Sequence, residues 1–85
     1  MGSNFRISCI HKNDDLHINL RRDLDGSSAC ELVNAIHEGY HGKGRIYINI
    51  QKAYRILPFG IATFNSRLNR GIIPRESIIF LGEKH

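Results

Sequence analysis

The strongest constraint on the fold is a pair of short segments in which every second residue is aliphatic. In residues 16–20 these positions hold Leu16, Ile18 and Leu20, and in residues 46–50 three isoleucines take the same places. Because side chains on a strand alternate between its two faces, each segment is predicted to be a β-strand with one buried face. A helical pattern lies between them, so the two strands are predicted to be parallel neighbours joined by a crossover.

Two more strands are predicted towards the ends of the chain. Residues 5–10 alternate in the same way and are separated from residues 16–20 by the polar turn 12–15. This spacing predicts an antiparallel hairpin. Residues 77–81 form an apolar run after Pro74 and are predicted to be a final, buried strand.

Helical patterns occupy the two remaining stretches. The first helix is predicted to run from about Ala29 to Glu38, because Ser28 and Glu31 fit a capping box and glycines follow its end. The second is predicted to begin at Pro58, whose missing amide hydrogen costs nothing in a first helical turn, and to end at Gly71. The predicted fold class is therefore α/β, in the order β-β-α-β-α-β, with a mixed sheet and both helices on one face.

The composition predicts one small domain, residues 1–85, that works by binding. Hydrophobic residues make up 41% and charged residues 24%, as in ordinary globular proteins. No apolar run approaches the roughly 20 residues of a membrane-spanning helix, and residues 1–6 lack a secretion-signal pattern, so we expect a cytoplasmic location and no membrane partner. Cys9 and Cys30 form no metal or redox motif and are expected to be buried apolar residues. A domain this small has little room for an active-site cleft, which favours binding over catalysis.

Residues 37–41 read His-Glu-Gly-Tyr-His and match the zinc-protease signature HExxH. Two histidines four residues apart on a helix can share a zinc ion, while the glutamate acts as a general base on zinc-bound water. The motif lies at the glycine-rich C-terminal end of the predicted helix, although a zinc site of this kind needs a helix through the whole motif. A zinc hydrolase using His37, Glu38 and His41 is therefore kept as an alternative, and we expect no metal and no cofactor. The candidate third ligands downstream are Glu76, Glu83 and His85.

The net charge of +4 comes from twelve basic and eight acidic residues that are scattered along the chain. A small nucleic-acid-binding domain is the other alternative, since such proteins gather basic residues on one face. Scattering in the sequence neither shows nor excludes such a face, and we expect the partner not to be a nucleic acid. The arginines of this alternative are Arg21, Arg22, Arg67 and Arg70.

Residues 23–32 resemble the start of the first helix in STAS domains. In that family Leu-Asp is followed, after two variable residues, by Ser or Thr, then Ala, and then a Leu three residues further on. The predicted order of elements also agrees with the family over nearly the whole chain. The resemblance implies a regulatory protein-binding module, like the bacterial anti-sigma factor antagonists, with a kinase-like or sigma-regulatory protein as its partner. The matching residues are Leu24, Asp25, Ser28, Ala29 and Leu32.

Two departures from the family pattern limit what the resemblance implies. STAS domains are often switched by phosphorylation of a serine at the start of the second helix, but residues 57–60 read Leu-Pro-Phe-Gly here. We therefore expect no phosphorylation at this turn. The chain also ends at His85, where fuller STAS domains continue into a further helix. We expect the surface left open to be covered by a partner or by a second copy of the chain.

The predicted contact surface is the start of the second helix, where large apolar residues cluster around Pro58. Phe59 does not extend the helical stripe formed by Ile61, Phe64 and Leu68, so it is expected to be exposed. An exposed aromatic ring on a rigid helix start is a good anchor for a partner. The candidate partner-binding residues are Arg55, Ile56, Leu57, Pro58, Phe59 and Ile61.

Overall fold

The computed structural model describes residues 7–71 and 73–82 and confirms the predicted α/β order. The predicted start of the first strand, at Phe5 and Arg6, lies outside the described residues. The described residues form a four-stranded mixed sheet and two α-helices. The elements are β1 (Ile7–Lys12), β2 (Asp15–Leu20), α1 (Gly26–Gly39), β3 (Ile46–Asn49), α2 (Pro58–Leu68), a 3-10 turn (Arg75–Ser77) and β4 (Ile78–Leu81).

The strands lie in the sheet in the order β1-β2-β3-β4, which is also their order along the chain. β1 and β2 form the predicted antiparallel hairpin, and its turn places Asn13 at a φ of 58°, a conformation that asparagine tolerates. β2, β3 and β4 are parallel to one another. The register aligns Ile18 of β2 with Ile48 of β3 and Phe80 of β4, so the aliphatic positions of the sequence share one face of the sheet.

That face carries the core, and both helices pack on it. The buried residues of the two helices and the aliphatic face of β2 and β3 form a single cluster, and the helices contact each other. The members of this core cluster are Leu16, Ile18, Leu20, Leu24, Ala29, Leu32, Val33, Ile36, Ile46, Ile48, Ala53, Phe64 and Leu68.

The opposite face of the sheet carries no helix within the described part of the chain. A row of side chains in register crosses all four strands there, from Ile10 through His17 and Tyr47 to Ile79. The rings of His17 and Tyr47 stack with their centroids 4.8 Å apart. The sheet is therefore covered on one side only among residues 7–71 and 73–82.

Helix α1 starts earlier than the sequence predicts, and the capping box is made by a different pair. The helix begins at Gly26, so Asp25 is the N-cap and Ser28 stands in the first turn. The Asp25 carboxylate accepts a hydrogen bond from the Ser28 amide, and the Ser28 hydroxyl accepts one from the Asp25 amide, both at 2.9 Å. The prediction of Ser28 as cap with Glu31 as its partner was wrong, because the same reciprocal arrangement forms three residues earlier.

Three smaller predictions were also wrong. Helix α2 ends at Leu68 with Asn69 as its C-cap, instead of continuing to Gly71. β4 is an edge strand of partly exposed residues rather than a buried one, because no further strand covers it in the described part of the chain. Cys9 is exposed, since β1 is the other edge of the sheet within the described residues. Cys30, on α1, is only partly buried.

Candidate partner-binding surface

The start of α2 is fixed by backbone hydrogen bonds to the segment that precedes α1. The amide of Leu24 donates to the carbonyl of Arg55 at 2.8 Å, and the amide of Leu57 donates to the carbonyl of Leu24 at 3.1 Å. Leu24 and Ile56 thereby form an isolated parallel bridge. The residues at the start of α2 are consequently held on a rigid support, with Pro58 in the first turn as the sequence predicts.

Gly60 makes possible the close approach of α2 to the segment before α1. It is buried in the first turns of α2, and its Cα faces the backbone of Leu24. A β-carbon at this position would overlap the carbonyl group of Leu24 and would lie 3.0 Å from the Cα of Asp25. Only glycine allows the helix to pack this tightly against the segment before α1.

Large side chains project outward from this rigid support. Phe59 is 73% exposed, as its place outside the buried stripe predicts, and Tyr54 is 72% exposed. Ile61 is 43% exposed, so its assignment to the buried stripe was wrong; the buried positions of α2 are Gly60, Phe64 and Leu68. Arg55 is also exposed, and its guanidinium pairs with the Asp23 carboxylate at 3.2 Å. We call this set the α2-start surface. Its residues are Tyr54, Arg55, Pro58, Phe59 and Ile61.

The structure divides the six residues predicted from the sequence into two groups. Arg55, Pro58, Phe59 and Ile61 are exposed at or just before the start of α2. Phe59 and Ile61 lie two residues apart on the helix and line different grooves, so they face different sides of it. Ile56 and Leu57 are partly buried, and Ile56 packs against the core. The sequence reasoning missed Tyr54, because a single aromatic residue in an irregular loop has no periodicity that would reveal its exposure.

An apolar groove between α2 and β4 adjoins the α2-start surface through Ile61. It has a volume of 290 Å³. Phe64 and Phe80 meet in it edge to face, with their ring centroids 5.8 Å apart, and Phe80 remains half exposed. Its lining residues are Leu24, Ile50, Ile56, Ile61, Phe64, Asn65 and Phe80. Apolar surface therefore continues from the start of α2 towards the edge of the sheet.

The HExxH residues do not share one helix. His37 lies in the last turn of α1, but the helix ends at Gly39 and the chain is already extended at Tyr40. The ring of His41 instead stacks on His11 with the centroids 5.7 Å apart, and Nε2 of His11 donates to the carbonyl of Gly39 at 2.9 Å. Among residues 7–71 and 73–82, no three His, Cys, Asp or Glu side chains are grouped so as to hold a metal ion. Two of the candidate third ligands, Glu83 and His85, lie outside the described residues.

His37 and His41 line one pocket at the end of α1, but no third ligand joins them within residues 7–71 and 73–82. We therefore expect the purified protein to contain no stoichiometric zinc. Elemental analysis of the protein purified without chelators measures this directly. About one zinc per chain, lost in the His41→Ala variant but kept in His17→Ala, would contradict the prediction.

Cys9 lies on β1 near the end of α1, where Glu38 is also found. Cys9 is exposed overall, yet its thiol loses part of its hydration, and this desolvation raises the pKa of the thiol. The negative charge of Glu38 raises the pKa of the thiol further. A raised pKa keeps the sulfur protonated at neutral pH, which is the reverse of what a cysteine nucleophile requires.

The four arginines of the nucleic-acid alternative do not form one patch. Arg21 and Arg22 follow β2 at the end of the sheet where α2 begins. Arg67 and Arg70 lie at the other end of α2, about 12 Å or more further along the helix axis. A continuous track for a phosphate backbone is therefore not built from these residues.

No protein-family model matches the chain, and no curated protein matches it. Among solved structures, the chain is similar to part of a crystal structure of Mglu, with a TM-score of 0.62 and 17% sequence identity. The similarity covers 92% of this chain and 19% of that chain, so the chain spans about a fifth of the length of Mglu. At this level of identity the likeness shows the fold alone. Neither helix of the described residues is long and apolar enough to cross a membrane.

Proposed function

We propose that the chain is a non-catalytic, regulatory protein-binding module of the STAS type, and that its partner docks on the α2-start surface. The observation that carries this proposal is the exposure of two large aromatic side chains, Tyr54 and Phe59, at and just before the start of α2, where Ile61 also lines the apolar groove between α2 and β4. Exposed aromatic residues next to apolar surface are typical of protein interfaces. The motif around Leu24 and Ser28 and the order of the elements support the STAS assignment.

The rigidity of the α2-start surface supports a binding role for its exposed aromatic residues. Aromatic side chains bury a large area on association and lose little conformational entropy when they are ordered. The backbone bonds between Leu24 and residues 55–57 fix the start of α2 before any partner arrives. Less free energy is then lost in ordering the surface, which leaves more of the contact energy for affinity.

The proposed module is not switched by serine phosphorylation at the start of α2. Residues 57–60 contain no hydroxyl group, and the first one that follows along α2, on Thr63, donates to the carbonyl of Phe59 at 2.8 Å. The partner proposed is a kinase-like or sigma-regulatory protein in the cytoplasm, and a second copy of the chain is the other candidate.

Changing Phe59 to Asp is expected to weaken binding of the protein partner by at least about tenfold, because it removes an exposed aromatic anchor and adds a charge that must be desolvated. The fold should survive, since Phe59 is exposed and an acidic residue is favoured in the first turn of a helix. The partner is first isolated from cell extract on immobilised wild-type protein, and its affinity is then measured with purified components. Thermal unfolding of the variant is followed in parallel.

Asn34→Asp is the matched control, because Asn34 is exposed on α1 and receives the same new charge. It should bind as tightly as the wild type. If Phe59→Asp loses its cooperative unfolding, Phe59 belongs to the core and the proposed surface is wrong. If the variant melts normally and binds at full strength, the partner uses another face of the domain.

A further inference from the structure

Positive charge is concentrated in the part of the chain that forms and flanks α2. Residues 51–75 contain five basic residues and no acidic one, although the whole chain has eight acidic residues. The basic residues are Lys52, Arg55, Arg67, Arg70 and Arg75. All five of these basic residues are exposed, and so are the rings of Tyr54 and Phe59 in the same segment, although Arg55 is paired with Asp23 from outside it.

The exposed side of α2 combines this charge with the aromatic anchor in one shallow groove of 370 Å³. We call it the α2 outer groove. Phe59 stands at one end and the guanidinium groups of Arg67 and Arg70 at the other. Within the described residues, no carboxylate pairs with either arginine, whereas Arg55 is paired with Asp23. The lining residues are Phe59, Ala62, Thr63, Ser66, Arg67 and Arg70.

We infer that the partner of the proposed function presents an acidic, amphipathic segment to the α2 outer groove, an inference that rests on the proposed function. An apolar side chain of that segment packs on Phe59. Its carboxylates pair with Arg67 and Arg70, about 12 Å or more further along the helix axis. Unpaired arginines suit carboxylates because the planar guanidinium can make two parallel hydrogen bonds to one carboxylate.

The composition of the α2 outer groove favours a protein segment over a nucleic acid. Single-stranded nucleic acids are bound by a basic groove that follows the backbone and by aromatic rings on which successive bases stack, whereas the lining of the α2 outer groove contains one ring, that of Phe59. The arginine nearest in sequence to Phe59 is Arg55, whose charge is already balanced by Asp23. A helix of a partner protein, in contrast, can present an apolar residue and a pair of acidic residues on one face about two turns apart.

The test uses the whole chain and three labelled probes in fluorescence anisotropy titrations. The first probe is a helical peptide with a leucine pair at one end and glutamates about 12 Å further along the same face. The second is the same peptide with glutamine in place of glutamate, and the third is a single-stranded oligothymidylate. Each probe is titrated against wild type, Phe59→Asp, the double variant Arg67→Glu/Arg70→Glu, and the control Lys12→Glu/Lys43→Glu, which makes the same change in net charge at exposed residues outside the groove.

The acidic peptide is expected to bind the wild type at least about tenfold more tightly than the glutamine peptide, and to lose about tenfold in affinity between roughly 0.05 M and 0.5 M salt. The affinity of the double arginine variant for the acidic peptide should be about tenfold lower than that of the wild type. The affinity of the lysine control should be unchanged. Equal binding of both peptides, still dependent on Phe59, would overturn the inference on charge and leave the proposed function standing. Peptide binding that does not depend on Phe59 would show that the α2-start surface is not the docking site, and the proposed function would then fail as well. Tighter binding of the oligothymidylate, or no binding of any probe, would also overturn the inference.

Discussion

Replacing Gly60 by alanine is expected to lower the free energy of unfolding by about 3 kcal/mol, and the melting temperature by roughly 10 °C or more. The new β-carbon would overlap the carbonyl group of Leu24, which is backbone and cannot rotate away. Either α2 moves outward and breaks the hydrogen bond between Leu57 and Leu24, or the segment before α1 shifts. For a domain of 85 residues this is a large part of the total stability.

Gly42→Ala is the matched control, because a β-carbon there would meet no atom within 4 Å. Its φ of 89° makes alanine strained, so we expect a loss of about 1 kcal/mol, caused by the backbone alone. Chemical denaturation followed by circular dichroism measures both variants. Equal stability of the two would mean that α2 is free to move away from Leu24, and the rigid support for the α2-start surface would have to be abandoned.

Replacing Ser28 by alanine is expected to cost about 2–3 kcal/mol, although only one oxygen atom is removed. Ser28 is fully buried. Its hydroxyl donates to the carbonyl of Asp23 at 2.6 Å and accepts from the amide of Asp25 at 2.9 Å. Alanine leaves both backbone groups without this partner in a site where water has little access, and the start of α1 loses half of its capping box.

The control is Ser66→Ala, in which an exposed serine of α2 is changed in the same way. A surface change of this kind should alter stability by no more than about 0.5 kcal/mol. Equilibrium unfolding in urea compares the two variants at one temperature. If Ser28→Ala is as stable as Ser66→Ala, the Ser28 hydroxyl does not hold the segment before α1 in place, and the strand-like course of residues 23–25 needs another explanation.

The sequence predicted the order of the elements because its patterns are local. The alternation of Ile46, Ile48 and Ile50 and the position of Pro58 each restrict the backbone without reference to distant residues. The exposure of Phe59 followed from the same kind of argument, since a residue outside the helical stripe has no place in the core. These predictions needed no knowledge of the tertiary contacts.

The predictions that were wrong had two kinds of cause. The capping box of α1 is local, because Asp25 and Ser28 are three residues apart, but Ser28 with Glu31 fits the same pattern and the sequence does not decide between the two pairs. Phe80 appeared in an apolar run typical of a buried strand, and only the order of strands in the sheet places it at an edge. The importance of Gly60 likewise depends on Leu24, which lies far away in the sequence.

The agreement between strand order in the sheet and strand order along the chain bears on how the protein is made. Proteins are synthesised from the N-terminus, and each new strand here is added to the outer edge of those already present, so that no strand has to be inserted between two paired ones. The hairpin of β1 and β2 can form first, and β3 then pairs with β2 once α1 has been made. Until β4 emerges, β3 is the growing edge and its backbone groups are unpaired. Slow translation through residues 50–77 would therefore prolong the stage at which a nascent chain is most prone to pair with its neighbours.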